Sequence, residues 1–263
     1  MLIFIGLGLG SDGISLRGLR EAQEADAVYA ELYTSLMPAL DMNQLEQKVG
    51  KPIKILSREI VEGDPAEVLE VARTKNAAIL VPGDPMVATT HVDLRLRAAK
   101  AGVGTKVVHA ASIASAAAGL VGLQSYKFGP SATIPFPDNP STRPYDILAE
   151  NFERGLHTML LLDIGEGGRA MLASQAIEIM LELEESLRRG VFTPDKLLVI
   201  VARAGSEDMV VRADQVDKLR GQDFGQPPHM LVLPGKLHFM EAEALKFFAG
   251  APEAAVLWNP NRT

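Results

Sequence analysis

Short apolar runs alternate along the chain with segments whose apolar residues recur every three or four positions. Residues 2–7 (LIFIGL) form a compact apolar run, the pattern of a strand covered on both faces. Leu16, Leu19, Ala22 and Ala25 then recur at helical spacing behind Ser15, whose hydroxyl suits a helix N-cap. The same reading predicts strands at 27–30, 53–56, 77–81 and 106–109. It predicts helices at 66–72 and 112–120, and another beginning at His91 and running through Leu94, Leu96 and Ala98. Farther along, strands are expected at 158–162, 197–202, 209–212 and 230–233, with a last short one at 254–258. A long helix over 170–187 is expected to end at Gly190, and another spans 241–248. Strands alternating with helices in this way define an α/β fold.

One stretch breaks the rhythm. Residues 119–144 carry Pro130, Pro135, Pro137, Pro140 and Pro144, and proline both fixes φ and lacks a backbone donor. The stretch reads as a linker and active-site loop between two lobes, with the boundary near residue 110. An N-terminal α/β lobe over 1–110 and a C-terminal α/β lobe over 111–263 follow.

Composition narrows the class. Hydrophobic residues at 47% and charged residues at 22% supply a real core and exclude wholesale disorder. No apolar run reaches the roughly 20 residues of a membrane-spanning helix. The first residues lack the basic start of a signal peptide, so a cytoplasmic protein without a membrane partner is expected. The chain has no cysteine, which removes disulfides, thiolate metal sites and cysteine nucleophiles. A formal net charge of −7, without a dense Lys/Arg cluster, argues against direct nucleic-acid binding.

Residues 8–13 (GLGSDG) satisfy G-x-G-x-x-G after a strand, and Glu31 closes the next strand where a ribose-binding acid would stand. A dinucleotide site, however, needs its last glycine where the helix packs on the strand, and a cap at Ser15 leaves Gly13 outside the helix. Two readings remain: a strand-to-helix turn needing positive φ, or a turn that some other ligand approaches closely. The five histidines form no H-x-H, HExxH or histidine–carboxylate cluster, so no metal site is expected. G-x-S-x-G is absent. Ser112 is either a helix cap or a ligand-holding hydroxyl beside free N–H groups.

GLGLG after the first strand and PGDP after the strand at 77–81 point together to a known family. The chain resembles the tetrapyrrole methylases, S-adenosylmethionine-dependent methyltransferases. Within them it is similar to a branch that modifies translation elongation factor 2. The similarity runs through AELYTSLM (30–37), LSRE (56–59), PGDPMVATTHVDLRLRA (82–98), YKFGPSAT (126–133), ERGLHT (153–158), ARAGS (202–206) and DFGQPPHMLVLPGKLHFMEAE (223–243). The resemblance implies two unequal α/β lobes with a cofactor cleft between them, and a homodimer. It implies S-adenosylmethionine as cofactor, released as S-adenosylhomocysteine, with contacts from Leu9, Asp84, Val87, Ser112, Ile113, Leu162, Ala204 and His229. The implied reaction methylates, up to trimethylation, the amino group of an aminocarboxypropyl-histidine on the elongation factor. Tyr33, Thr34, Tyr126 and Lys127 are the substrate-side candidates, and no residue stands out as the general base. A methylase of the same fold acting on a tetrapyrrole, or a non-catalytic S-adenosylmethionine-binding protein, are the alternatives.

Overall fold

A computed structural model describes residues 1–257. The chain divides into two compact units, the first Met1–Ile113 and the second from Ala114 onward.

The first unit is a three-layer α/β sandwich. Its strands are β1 (Leu2–Gly6), β2 (Ala27–Glu31), β3 (Ile53–Leu56), β4 (Ala77–Val81) and β5 (Thr105–Val108). They form one parallel sheet in the order β3-β2-β4-β1-β5, with Phe4 registered against Ile79 and Val107. Both faces of β1 are buried, so its sequence is apolar throughout rather than alternating. Ile3 and Ile5 pack with Ala22 of α1 (Leu16–Glu24) and Leu45 of α2 (Met42–Val49). Leu2 and Phe4 pack on the other face with Val68 of α3 (Ala66–Thr74) and Leu94 of α4 (His91–Lys100). The chain leaves β1 by α1 on one face and β4 by α4 on the other. Such a reversal opens a crevice at the carboxyl ends of the two strands.

Local chemistry explains the helix starts. Ser15 caps α1 by accepting from Gly18 N, which confirms that Gly13 lies outside the helix. The close helix–strand packing falls to Gly18 instead, where a Cβ would stand 2.8 Å from Ile5 Cγ2. α2 was not predicted, although Asp41 caps it and Gly50 closes it in the left-handed conformation. Its eight residues fall short of the window over which a helical period can be read.

The second unit opens with α5 (Ile113–Val121). Its strands are β6 (Ala132–Ile134), β7 (Thr158–Leu162), β8 (Leu197–Ala202), β9 (Val210–Gln215) and β10 (His229–Leu233), in the order β6-β7-β10-β8-β9. β6 and β7 are parallel and the other pairs antiparallel. Ile134, Leu160, Ile200 and Leu231 pack with Tyr145 of α6 (Arg143–Glu153) and Ile177 of α7 (Ala173–Leu187). The short α8 (Val216–Leu219) adds Val216 and Leu219 to the same core, and α9 (Phe239–Ala249) and α10 (Glu253–Leu257) end the described chain.

Three expectations need correction. The proline-rich stretch is not merely a linker: it lies in the second unit, supplies β6, and starts α6 with Pro144 at the beginning of the helix. Proline is tolerated there because the first-turn N–H has no intrahelical acceptor. Residues 253–257 are helical rather than a strand; a short apolar run does not distinguish the two, and Ala254 and Ala255 favour helix. Trp258 lies outside the described residues. α7 begins at Ala173, because Ala170 bridges Ile164 and Gln175 accepts from Leu172 N. It ends on Arg188 in the left-handed conformation, two residues before Gly190.

Candidate active site

In the first unit, three loops meet at the carboxyl edge of the sheet. Gly8 and Gly83 exchange backbone hydrogen bonds, Gly8 N to Gly83 O at 3.1 Å and Gly83 N to Gly8 O at 2.8 Å. This bridge joins GLGLG to PGDP. Gly8 has φ 75°, and a Cβ there would lie 2.6 Å from Gly13 O, so only glycine fits. A Cβ on Gly6 would lie 2.6 Å from both Gly83 O and Ala110 Cβ. The loop after β5 is thereby pressed against the other two.

Asp84 fastens this junction. Its carboxylate is buried; Oδ1 accepts from Met86 N at 2.9 Å. Oδ2 accepts from Ala110 N at 3.2 Å and lies 2.8 Å from His109 Nδ1. Val87 leaves the turn with 38% of its surface exposed, an apolar side chain open at the edge. Leu9 and Ile113 are half-buried and Ser112 is buried immediately before α5. The structure thus gathers the loops carrying Leu9, Asp84, Val87, Ser112 and Ile113 at one end of one sheet.

Glu31 does not stand where a ribose-binding acid must. It is fully buried, and its carboxyl group turns back to accept from Tyr33 N and Thr34 N, each at 3.2 Å, and from Thr34 Oγ1 at 2.6 Å. Thr34 is thereby committed to Glu31. The Tyr33 ring lies beneath Arg58, 5.2 Å from its guanidinium carbon. The Tyr33 hydroxyl is buried without a well-formed hydrogen bond; nearby Thr90 gives its own hydroxyl to Glu62 at 2.9 Å. Burial first, and the neighbouring acidic side chains Glu31 and Glu62, push the Tyr33 phenol up and keep it neutral.

In the second unit, register gathers another set. His229 stands opposite Ala202 at the start of β10, and Met230 opposite Leu161. Leu162 at the end of β7, Ala204 just beyond β8 and His229 therefore share one end of the mixed sheet. His229 is buried; its Nδ1 accepts from Ala173 N at 3.1 Å and its Nε2 lies 3.1 Å from Gln226 O. Burial holds its imidazole below the usual range, so it is a neutral, fixed ring.

Sequence reasoning missed the residue that shapes this end. Arg203 has φ 49°, and its guanidinium donates to Phe224 O at 2.7 Å, Gln226 O at 2.5 Å and Asp208 O at 2.9 Å. Its Nε lies 2.6 Å from Asp208 Oδ2 but off the N–H direction, an ion pair rather than a hydrogen bond. One side chain thus ties the ARAGS loop to the DFGQPP loop. An arginine in a loop carries no periodic signal that would reveal such a role.

Lys127 and Tyr126 lie in a 3-10 turn. Tyr126 is 79% exposed, whereas Lys127 is tied to Glu241 and to Lys236 O. Glu241 is a buried hub on α9. Its Oε1 accepts from Gln124 N and His157 Nε2, each at 2.9 Å, and its Oε2 from Lys127 and from His238 N at 2.7 Å. His157 Nδ1 accepts from Gly235 N, so Nε2 carries the proton it donates. Burial pushes the Glu241 carboxyl up, but the bonds from His157, Lys127, Gln124 and His238 outweigh it and hold it at about 2.

A parallel sheet whose glycine turns let a ligand approach the backbone at its carboxyl edge is the frame of a small-ligand-binding enzyme. The model of tetrapyrrole (corrin/porphyrin) methylases matches residues 1–220. Diphthine synthase of Methanosarcina acetivorans is 50% identical over 261 residues, covering 96% of this chain and 97% of that protein. Diphthine synthase of Methanothermobacter thermautotrophicus is 44% identical over 260 residues, covering 97% and 98%. A crystal structure of diphthine synthase matches with a TM-score of 0.89 at 39% identity, over 97% of this chain and 98% of that one. The chain belongs to the tetrapyrrole methylase family, and within it to the diphthine synthases. It is a methyltransferase of diphthamide biosynthesis.

Proposed function

We propose that the protein transfers methyl groups from S-adenosylmethionine to the amino group of the aminocarboxypropyl-histidine of translation elongation factor 2, ending at the trimethylammonium. The observation that carries this reading is similarity to diphthine synthases along nearly the whole chain, not only at GLGLG and PGDP. The residues suit the cofactor. Gly83 has φ 66° with no atom closer than 4.0 Å to a Cβ built there, which leaves its backbone open to close approach. Asp84 offers a carboxylate for ammonium or hydroxyl groups, and Val87 an exposed apolar contact.

In this reading Leu9, Asp84, Val87, Ser112 and Ile113 of the first unit hold S-adenosylmethionine together with Leu162, Ala204 and His229 of the second. S-adenosylmethionine, when bound, supplies a methyl group on a sulfonium, already activated for transfer. The protein's work is then to orient donor and acceptor and to exclude water. Each amine must be unprotonated to attack, and an apolar surround lowers its pKa. Tyr33 and Tyr126 remain as substrate-side side chains, while Thr34 and Lys127 act by holding their segments in place. A homodimer, a cytoplasmic location and the absence of direct nucleic-acid contact complete the proposal.

The test is mass spectrometry of elongation factor 2 bearing the precursor histidine after incubation with S-adenosylmethionine and the purified protein. Successive methyl increments on that residue are expected. No transfer to active precursor, or transfer to a tetrapyrrole instead, would overturn the assignment.

A further inference from the structure

Behind the 82–86 turn lies a buried pair that methyl transfer does not use. His91 and Glu31 are both 0% exposed. His91 Nδ1 is 3.1 Å from Pro85 O, and a carbonyl only accepts, so Nδ1 carries a hydrogen. Nε2 has no hydrogen-bond partner and lies 3.4 Å from Glu31 Oε1. In a neutral imidazole with its proton on Nδ1, Nε2 presents a lone pair. An ionised Glu31 would then set a carboxylate oxygen against that lone pair in a dry interior, a costly arrangement. A single added proton, on the carboxyl or on Nε2, removes the conflict.

The surroundings favour a pair with no net charge. Glu62 lies close enough to both groups to act on them, and its carboxylate accepts from Thr90. Arg58 is over the neighbouring Tyr33 ring, and Arg97 of α4 donates to the carbonyls of Glu62 and Gly63. Asp84, on the same turn as Pro85, faces His109 and Ala110 instead. From β1, the Phe4 ring lies 6.1 Å from the imidazole. Burial raises the Glu31 carboxyl, against the bonds from Thr34 and Tyr33, and lowers the His91 imidazole. Both directions favour Glu31 over Nε2 as the carrier of the proton, which then faces the Nε2 lone pair.

We propose that Glu31 and His91 share one buried proton and, through it, hold the 82–86 turn in place as positioning residues for the site. The proposal rests on the reading that this turn contacts S-adenosylmethionine. The chain of contacts runs from β2 through Glu31 and the imidazole to Pro85 O, directly beside Asp84. As pH rises past the pair's shared titration the proton is lost, the imidazole turns from Glu31, and Pro85 loses its donor. Affinity for S-adenosylmethionine then falls while the fold persists.

Two measurements test this. In full-length protein labelled with nitrogen-15 histidine, two-bond proton–nitrogen correlations report the His91 ring. Its pattern should show Nδ1 protonated and stay fixed from about pH 6 to about pH 8, whereas titration near the ordinary value of about 6.5 would overturn the shared proton. Calorimetric binding of S-adenosylmethionine to wild type, E31Q, E31V and H91F gives the functional readout, with circular dichroism confirming the fold. A glutamine amide turns an N–H toward the Nε2 lone pair as the carboxyl turns its O–H. E31Q therefore retains affinity at neutral pH and loses the alkaline decline, while E31V and H91F bind about tenfold more weakly. Equal affinity in E31V, H91F and wild type would refute the positioning role. Failure of the wild type itself to bind would instead refute the cofactor reading, leaving the resonance pattern to decide the shared proton.

Discussion

Glu241→Gln tests whether one buried carboxylate organises the second unit. The carboxylate accepts from four donors, two on each oxygen, and a glutamine has only one oxygen. Its NH2 group must face two donors, Gln124 N with His157 Nε2 or Lys127 with His238 N. A carboxyl held at about 2 against an ordinary 4.5 corresponds to roughly 3 kcal/mol, reduced to about 2 kcal/mol by screening because Lys127 is partly exposed. Orphaned donors add about 1–3 kcal/mol. For a chain of this size the total lowers the melting temperature by roughly 5–15 °C. The sign follows from the depressed value: the charge contribution is fully present above pH 4.5 and lost as pH falls toward about 2. Melting of wild type and E241Q, followed by circular dichroism at stepped pH, should show a gap constant near neutrality and closing below pH 4.5. Equal melting at neutral pH, or a gap of the same width at every pH, would refute the hub.

Other substitutions probe the remaining joints. Gly8→Ala puts a Cβ 2.6 Å from Gly13 O at φ 75°, so a loss of about 1–3 kcal/mol and weakened S-adenosylmethionine binding are expected in melting and calorimetry. Gly18→Ala crowds Ile5 away from the turns; it should cost about 1–3 kcal/mol in urea unfolding yet leave affinity nearly unchanged. Arg203→Ala leaves the carbonyls of Phe224, Gln226 and Asp208 without their donor, and Arg203→Lys, lacking the planar fork, should restore only part of the lost stability. Asp84→Ala should weaken binding about tenfold or more with a smaller change in melting, because both the candidate ligand group and the brace to His109 and Ala110 disappear; unchanged affinity would remove Asp84 from the site.

The chain's apolar runs determined the α/β class and the central strands, because strands buried on both faces, such as β4 and β8, leave unbroken apolar runs whatever their direction. β3, β4, β7 and β8 occupy the expected residues. The Ser15 cap separated the glycine turn from a dinucleotide fingerprint, since hydroxyl capping is a local property. GLGLG and PGDP, supported by matches along the rest of the chain, carried the family. The eight-residue α2 escaped, and so did α6, which opens inside the proline-rich stretch read as a linker, as did the helical state of residues 253–257.

Only tertiary structure decided which polar groups were free to act. Glu31 reads as a ribose-binding acid at a strand end, yet folding buries it against Thr34 and His91. Lys127 reads as a substrate-side residue, yet Glu241, 114 residues away in sequence, claims it. Arg203 reads as an ordinary loop residue until three carbonyls converge on it. Hydrophobic periodicity and capping are written within a few residues, whereas the satisfaction of a buried charge depends on partners that only folding brings together.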